Sequence, residues 1–247
     1  MIHATVRFHG ELNDFLPRAR RNAEIPYQSD GKVSIKDVVE SLGVPHTEIE
    51  ALVVGGQSVD LQFVLTEDTR AEVYPLAMAP SIPHVPLRPP IPTPRRFVLD
   101  THLGTLASYL RMFGFDTLYR NDYDDDELAQ VADEENRILL TRDRGLLKRG
   151  RVLFGYFVRE TDPQRQIAEI VGRYSLQASI ETLRRCIRCN GLLRPVSKES
   201  ILDRLAPKTA AYYSEFSLCD SCDQIYWRGS HYEHMRNFID TLLRGQA

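Results

Sequence analysis

The chain has 247 residues, 31 Lys/Arg against 34 Asp/Glu, a net charge of −3 and 43% apolar residues. That length and composition suit two or three small domains with real cores, and the charge excludes a surface that is basic throughout. The N-terminus has no basic stretch leading into an apolar core, no run of about 18 apolar residues occurs, and the four cysteines sit together after residue 185. A secreted disulfide scaffold and a membrane span are thus excluded, and the chain reads as cytoplasmic.

Residues 2–9 alternate, with Ile2, Ala4, Val6 and Phe8 on one side and His3, Thr5, Arg7 and His9 on the other. This predicts a half-buried strand. A second strand is expected around Ala23–Tyr27. Ser34 then opens a helix with Ile35, Val38, Val39 and Leu42 on one face, stopped by Gly43. Leu52-Val-Val-Gly-Gly56 reads as a strand entering a turn, and Phe63–Leu65 and Ala71–Tyr74 read as further strands. Strand, strand, helix and strands within about 75 residues make an α+β domain, residues 1–79.

That segment resembles the β-grasp fold of ubiquitin-like sulfur carriers, on Val53-Val-Gly-Gly-Gln-Ser-Val59 and Glu67-Asp-Thr-Arg-Ala-Glu-Val-Tyr-Pro75. Carriers use a free Gly-Gly carboxylate. Here Gly55-Gly56 is internal, so the resemblance implies docking of a protein partner, or a plain scaffold, rather than carrier chemistry. Residues 80–94 hold seven prolines in fifteen positions. They predict an extended, semi-rigid spacer.

Beyond the spacer, residues 95–180 alternate strand and helix, as in a parallel α/β sheet. Phe97–Leu99 is a strand ending in Asp100. A helix with Leu103, Leu106, Ala107 and Leu110 follows, then a strand at Phe115–Leu118. The acids Asp122-Tyr-Asp-Asp-Asp-Glu127 lead into a helix with Leu128, Val131 and Ala132. Ile138–Leu140 is a buried strand followed by Thr141-Arg142-Asp143. Val152–Val158 reads as another strand, and Asp162-Pro163 opens a helix with Ile167, Ile170 and Val171.

Open parallel sheets bind ligands outside the carboxyl ends of their strands. Asp100, the Asp124–Asp126 group and Asp143 all stand at strand ends or helix starts. Carboxylates gathered there would repel one another without a cation, and oxygen ligands of this kind suit Mg²⁺ or Mn²⁺. Such ions orient and deprotonate a water at a phosphodiester. Acids at helix starts also serve as caps, and for Asp162 the cap outweighs metal binding. Arg142 and Arg144 flank Asp143 and fit either phosphate contact or pairing with nearby acids. No Ser/His/Asp or Cys/His nucleophile pattern is present.

Residues 181–247 open on Cys186-Ile-Arg-Cys189, answered by Cys219-Asp-Ser-Cys222. Two such pairs predict one closed, structural four-thiolate Zn²⁺ site, a zinc ribbon. Residues 184–208 carry seven Lys/Arg against two acids. Together with Arg188, Tyr226, Trp227 and Arg228, this mixture of cations and aromatic faces suits single-stranded RNA. Ser230-His-Tyr-Glu233 resembles a capping box opening a last amphipathic helix. His231 is read as surface or RNA-facing rather than as a ligand.

Residues from about 95 to 240 resemble the PIN-like RNase family named for the C-terminal domain of the Mut-seven exonuclease. The matching runs are Arg96-Phe-Val-Leu-Asp-Thr-His-Leu-Gly104, Leu110-Arg-Met-Phe-Gly-Phe-Asp-Thr117, Asp125-Asp-Glu-Leu128 and Arg137-Ile-Leu-Leu-Thr-Arg-Asp-Arg-Gly145, with the cysteine pairs and Tyr226-Trp-Arg-Gly-Ser-His-Tyr232. Members often carry a β-grasp domain in front. The resemblance implies metal-dependent RNA cleavage, with Asp100, Asp125 and Asp143 as metal acids, Asp126 a near neighbour and Asp162 a candidate fourth acid. The expected architecture is therefore an α/β PIN-like parallel sheet between an N-terminal β-grasp domain and a C-terminal zinc ribbon. An inactive RNA-binding protein and an interaction scaffold are the alternatives.

Overall fold

The computed structural model describes residues 2–78 and 84–244, the side chains of His231 and Leu243 excepted. The first four spacer residues, 80–83, and the boundary at 79 lie outside this description. Among the described residues no helix is long and apolar enough to cross a membrane.

In chain order the elements are β1 (Ile2–Phe8), β2 (Glu24–Ser29), α1 (Ile35–Ser41), β3 (Ile49–Val54), β4 (Gln57–Val59) and β5 (Thr69–Pro75). There follow β6 (Arg96–Leu99), α2 (Gly104–Met112), β7 (Asp116–Tyr119), α3 (Asp125–Glu134), β8 (Ile138–Thr141), α4 (Arg144–Leu147), β9 (Gly155–Phe157) and α5 (Pro163–Arg173). The last are β10 (Leu193–Val196), α6 (Pro207–Tyr212), β11 (Phe216–Cys219), β12 (Ile225–Trp227) and α7 (Ser230–Arg244). The chain forms two compact units, one of residues up to Thr93 with Asp124–Phe157, the other of Pro94–Tyr123 with Val158 onward.

The first unit is built on a mixed five-stranded sheet, order β2-β1-β5-β3-β4. β1 runs antiparallel to β2 and parallel to β5. The alternation of β1 buries Ala4, Val6 and Phe8. Ser34 caps α1 by accepting the Asp37 amide at 3.2 Å. The helix buries Ile35, Val38 and Val39 in one core with Phe8, Leu52 and Val73. Gly55 and Gly56 have φ of 57° and 80°. Two successive positive φ values make the tight hairpin turn between β3 and β4, so this glycine pair is a turn and not a reactive tail.

Residues 63–65, expected as a strand, form only a single bridge, Ser34 to Val64. Their backbone is committed to the approach to α1: Ile35 donates to the Phe63 carbonyl at 2.8 Å and Leu65 to the Val33 carbonyl at 3.0 Å. The described part of the spacer has no regular structure but is tied down. The Arg88 guanidinium donates to the Ile49 carbonyl at 2.7 Å and to Glu50 Oε2 at 2.6 Å, and Leu87 packs on the core.

The same unit contains α3, β8, α4 and β9. β8 and β9 are parallel, with Leu140 opposite Tyr156 and Thr141 opposite Phe157. The strand expected over Val152–Val158 is shorter and begins at Gly155: Val152 is buried outside the ladder, and Phe154 reaches it only through its carbonyl, which accepts the Leu139 amide at 2.9 Å. Apolar composition reports burial, and strand pairing only where the backbone is extended beside a partner. This segment is fastened to the N-terminal sheet module at several places. Phe157 meets Phe15 edge-on, with centroids 5.4 Å apart. The buried Glu48 carboxylate accepts the Phe157 amide at 2.6 Å. His46 Nε2 lies 3.1 Å from the Val152 carbonyl, and Lys148 Nζ donates to the Glu40 carbonyl at 2.6 Å.

In the second unit β6 and β7 are parallel, with Arg96 opposite Asp116 and Leu99 opposite Tyr119. Leu106, Ala107 and Leu110 of α2 and Ile167, Ile170 and Val171 of α5 are buried. Phe97 lies edge-on to Phe115 and Tyr174. The distal module is a three-stranded antiparallel sheet, order β10-β11-β12, over a small core of Ile201, Phe216, Leu218 and Ile225. α7 takes Ser230 as its first residue and the Glu233 amide bonds the Gly229 carbonyl at 3.0 Å, one residue earlier than the capping-box reading places the start.

Candidate active site and metal centre

Asp100 stands at the end of β6 and is 9% exposed. The Thr101 hydroxyl donates to its Oδ1 at 3.1 Å. Its loop is held from above: the Tyr119 hydroxyl donates to the Thr101 carbonyl at 2.9 Å. A Cβ on Gly104 would stand 2.7 Å from that hydroxyl. The glycine closing Asp100-Thr-His-Leu-Gly104 is thus there for close approach, which fixes the turn carrying Asp100. His102 in this turn is exposed.

The middle acid cluster divides its labour. Asp124 is the N-cap of α3: its Oδ1 accepts the Glu127 amide at 2.8 Å, completing a capping box. Asp125 and Asp126, 50% and 87% exposed, do not cap. Both face Arg149, whose Nη2 lies 3.5 Å from Asp125 Oδ2 and whose Nη1 donates to Asp126 Oδ1. Arg149 is one of six Lys/Arg between residues 137 and 151. Its partners are 23 and 24 residues away, and no local pattern marks them.

Asp143 follows β8 and caps α4. Its Oδ1 accepts the Gly145 amide at 2.6 Å and the Leu146 amide at 3.3 Å. Arg144 is turned toward the N-terminal module: Nη1 donates to the Phe15 carbonyl at 2.9 Å, and the guanidinium lies 5.2 Å from the Phe15 ring and 5.7 Å from that of Phe157. Arg142 lies 5.9 Å from the Phe157 ring. Asp162 is the N-cap of α5, accepting the amides of Gln164 and Arg165 at 3.0 and 3.1 Å ahead of Pro163 at the first turn.

The cysteines converge. The four Sγ atoms lie within 4.8 Å of one another, with Cys186 and Cys222 at 3.6 Å and Cys189 and Cys219 at 3.4 Å. These separations are too long for a disulfide and close to the ~3.8 Å edge of a tetrahedron with ~2.3 Å zinc–sulfur bonds. The two loops repeat one geometry. Asn190 and Asp223, each following the second cysteine of its pair, have φ of 70° and 55°. Their amides return to the Cys186 and Cys219 carbonyls at 2.9 and 3.1 Å. Four soft donors held this way could hold a metal ion, and the arrangement is consistent with structural zinc.

Tyr226 braces the site, its hydroxyl 3.1 Å from Cys186 Sγ and accepting the Ile187 amide at 3.1 Å. Burial pushes the Cys186 thiol up, but hydrogen bonds from Tyr226 and the Cys189 amide outweigh it and bring the thiol down to about 7. Burial first, and then the Cys186 sulfur, push the Tyr226 phenol up, so it remains a donor.

The first cysteine loop is anchored by residues the sequence did not single out. Asn190 Oδ1 accepts the Thr117 amide of β7 at 2.9 Å, and its Nδ2 donates to Asp116 Oδ1 at 2.8 Å. Arg111, 6% exposed, donates to the carbonyls of Thr117, Ile187 and Arg188 at 2.9, 3.2 and 3.1 Å. Burial pulls its guanidinium below the ordinary arginine value, against the opposing influence of Cys189, Cys186 and Asp116. Arg111→Ala strands three carbonyls and is expected to destabilise the protein by about 2–4 kcal/mol in chemical denaturation. A loss under about 0.5 kcal/mol would show that this anchor is dispensable.

Arg188 and Arg228 are exposed and Trp227 is half-buried. Arg228 lies 3.6 Å from Glu215 and 5.9 Å from the Tyr232 ring. His231 lies in α7, with its side chain outside the described residues.

Comparison with known families gives two matches. The family model described as Mut7-C RNAse domain matches residues 95–239, and that described as Mut7-C ubiquitin matches residues 1–80. No curated protein and no solved structure matches the chain.

Proposed function

The chain belongs to the Mut7-C RNAse domain family, and from that premise we propose that it is a divalent-metal-dependent endoribonuclease of PIN-like architecture, with a zinc ribbon that grips RNA. The observation that carries this reading is the family match over residues 95–239, within which Asp100, Asp125 and Asp143 occupy strand ends and helix starts. Their carboxylates, like that of Asp126 next to Asp125 in the chain, are hard oxygen donors of the kind that suits Mg²⁺ or Mn²⁺. Such an ion, when bound, would activate a water and stabilise the leaving oxygen at a phosphodiester.

The chain's own residues prepare the site. The Tyr119 and Thr101 contacts fix the Asp100 turn. The α4 amides hold the Asp143 carboxylate. Arg149 balances Asp125 and Asp126, which would otherwise repel each other. Asp162 is committed to α5 and serves as a cap. The N-terminal module braces the α4–β9 segment that follows Asp143, and its ubiquitin-like family match suggests a protein partner. The domain plan proposed is residues 1–79, 80–94, 95–180 and 181–247, in a cytoplasmic protein.

A second reading is an RNA-binding protein without catalysis, favoured by the Arg149 cation already paired with Asp125 and Asp126. Labelled single-stranded and structured RNAs incubated with Mn²⁺, Mg²⁺ or excess EDTA separate the two. Cleavage that appears with metal and stops with EDTA is expected. Tight binding with no cleavage under any condition establishes the second reading. An interaction scaffold would neither bind nor cleave RNA.

A further inference from the structure

Trp227 is the single tryptophan of the chain, and three cavities meet at it. One, of about 430 Å³, is lined by Tyr213, Tyr226, Trp227, Tyr232 and Met235, with Thr209 at one side. A second, of about 500 Å³, is lined by Arg188, Arg204, Thr209 and Trp227, with Asp223 as its acid. A third, of about 510 Å³, passes beside Arg228 and Phe216. Each has the size of a small-molecule site rather than a packing defect.

The walls are organised. Phe216 and Tyr213 hold the indole, each with centroids 6.4 Å from it. A Cβ on Gly229 would stand 2.6 Å from the indole nitrogen, so the chain passes flat against the ring edge. The Tyr226 hydroxyl is tied to the first cysteine loop, and the Tyr232 hydroxyl lies 3.2 Å from that of Thr182. The aromatic walls are therefore positioned by the metal site and by residues 182–187. Four aromatic rings line one cavity, and two guanidinium groups line the cavity that shares Thr209 and Trp227 with it. Stacking surface beside cation is the pattern that reads single-stranded nucleic acid, in which base and phosphate alternate along the chain.

We propose that the aromatic cavity at Trp227 is a base-binding pocket that receives one unstacked base of a single-stranded RNA, with the neighbouring phosphate held by Arg188 and Arg204. This rests on the reading of the protein as an RNA-acting member of its family and names the feature of RNA that the distal module recognises. The pocket favours unpaired segments, because a base inside a duplex must first be unpaired and unstacked to enter, which costs free energy.

Trp227 supplies its own readout. The zinc-loaded full chain, without added Mg²⁺ or Mn²⁺, is titrated with a single-stranded oligoribonucleotide and with an equal-length oligomer of abasic ribose-phosphate. The RNA quenches Trp227 emission saturably and the abasic strand does not. Thr209→Phe, which fills the cavity wall, keeps its zinc and weakens RNA binding about tenfold. RNA bound and cleaved with unchanged Trp227 emission, and a Thr209→Phe variant of full affinity, overturn the pocket and leave the nuclease standing. Quenching by RNA without any metal-dependent cleavage supports the pocket and overturns the nuclease. No binding of RNA at all overturns both.

Discussion

Cys219→Ser is expected to lose the zinc and, with it, the folded state of the distal module. The module's core consists of Ile201, Phe216, Leu218 and Ile225, with a few half-buried neighbours. Four buried side chains at ~1.5–3 kcal/mol each are far short of the conformational entropy of ordering several dozen residues. A zinc ion on the cysteine loops would make up the difference. Structural zinc in such settings contributes apparent binding energies of about 10–16 kcal/mol, which are also folding energies. Cys219 is fully buried, lies in β11 opposite Leu193, and accepts the Ser221 amide at 3.4 Å. Serine nearly conserves the volume but supplies no thiolate, so the effect reads out coordination rather than packing. Zinc content should fall from one ion per chain to none, and amide exchange should accelerate through β10, β11 and β12. A variant that kept stoichiometric zinc and full amide protection would remove Cys219 from the ligand set. The reach of the effect is also specified. Through Arg111 and Asn190 the first cysteine loop bonds β7, so loss of the metal should loosen the outer edge of β7 as well. β7 pairs with β6, which ends at Asp100, so the cysteine cluster and a candidate acid belong to one mechanical assembly.

What could be read in advance follows from how local each signal is. The capping serine of α1, the Asp162-Pro163 start of α5 and the paired Cys-x-x-Cys loops all announce themselves within a few residues, because a cap or a metal loop closes over that distance. The alternation of β1 was legible for the same reason. Apolar runs were less reliable: residues 63–65 and 152–154 are in part buried yet lie in no strand, since pattern reports burial and cannot identify the partner strand. Long-range partners were not legible at all. Arg144 reaches Phe15 across 129 positions and Glu48 reaches Phe157 across 109. Nothing near Arg144 distinguishes an arginine that stacks on two phenylalanines from one that faces a phosphate. Asn190 had a faint signal, because asparagine is among the few residues at ease at positive φ, and such a residue recurs after each cysteine pair. The division of the acid cluster was half legible. The Asp124 to Glu127 spacing marks a capping box, and that spacing leaves Asp125 and Asp126 free of capping duty.

Asp143→Asn is expected to abolish RNA cleavage while leaving the fold and RNA affinity intact. The expectation depends on separating two roles of one carboxylate. As an N-cap, Asp143 accepts the amides of Gly145 and Leu146, and asparagine performs that task about as well. α4 is also held by Arg144 on the Phe15 carbonyl and Lys148 on the Glu40 carbonyl, so the turn keeps its place. What asparagine cannot supply is the negative charge that a hard divalent cation requires. Losing several kcal/mol of metal-centred stabilisation corresponds to a fall of about 10²–10³ in cleavage rate. Asp143→Ala adds to this a cap loss of ~1 kcal/mol, visible in denaturation and absent from the asparagine variant. Asp162→Asn is the matched control: it too is an N-cap taking two amides, and if its carboxylate does nothing else, both rate and stability stay at the wild-type level. Single-turnover cleavage with Mn²⁺, run beside denaturation curves for the three variants, measures both quantities. Wild-type cleavage by Asp143→Asn would reduce Asp143 to a cap and require the metal to be held without it. A rate loss in Asp162→Asn equal to that in Asp143→Asn would instead bring the fourth acid into the centre, and the capping geometry of α5 would then be a second use of a metal ligand.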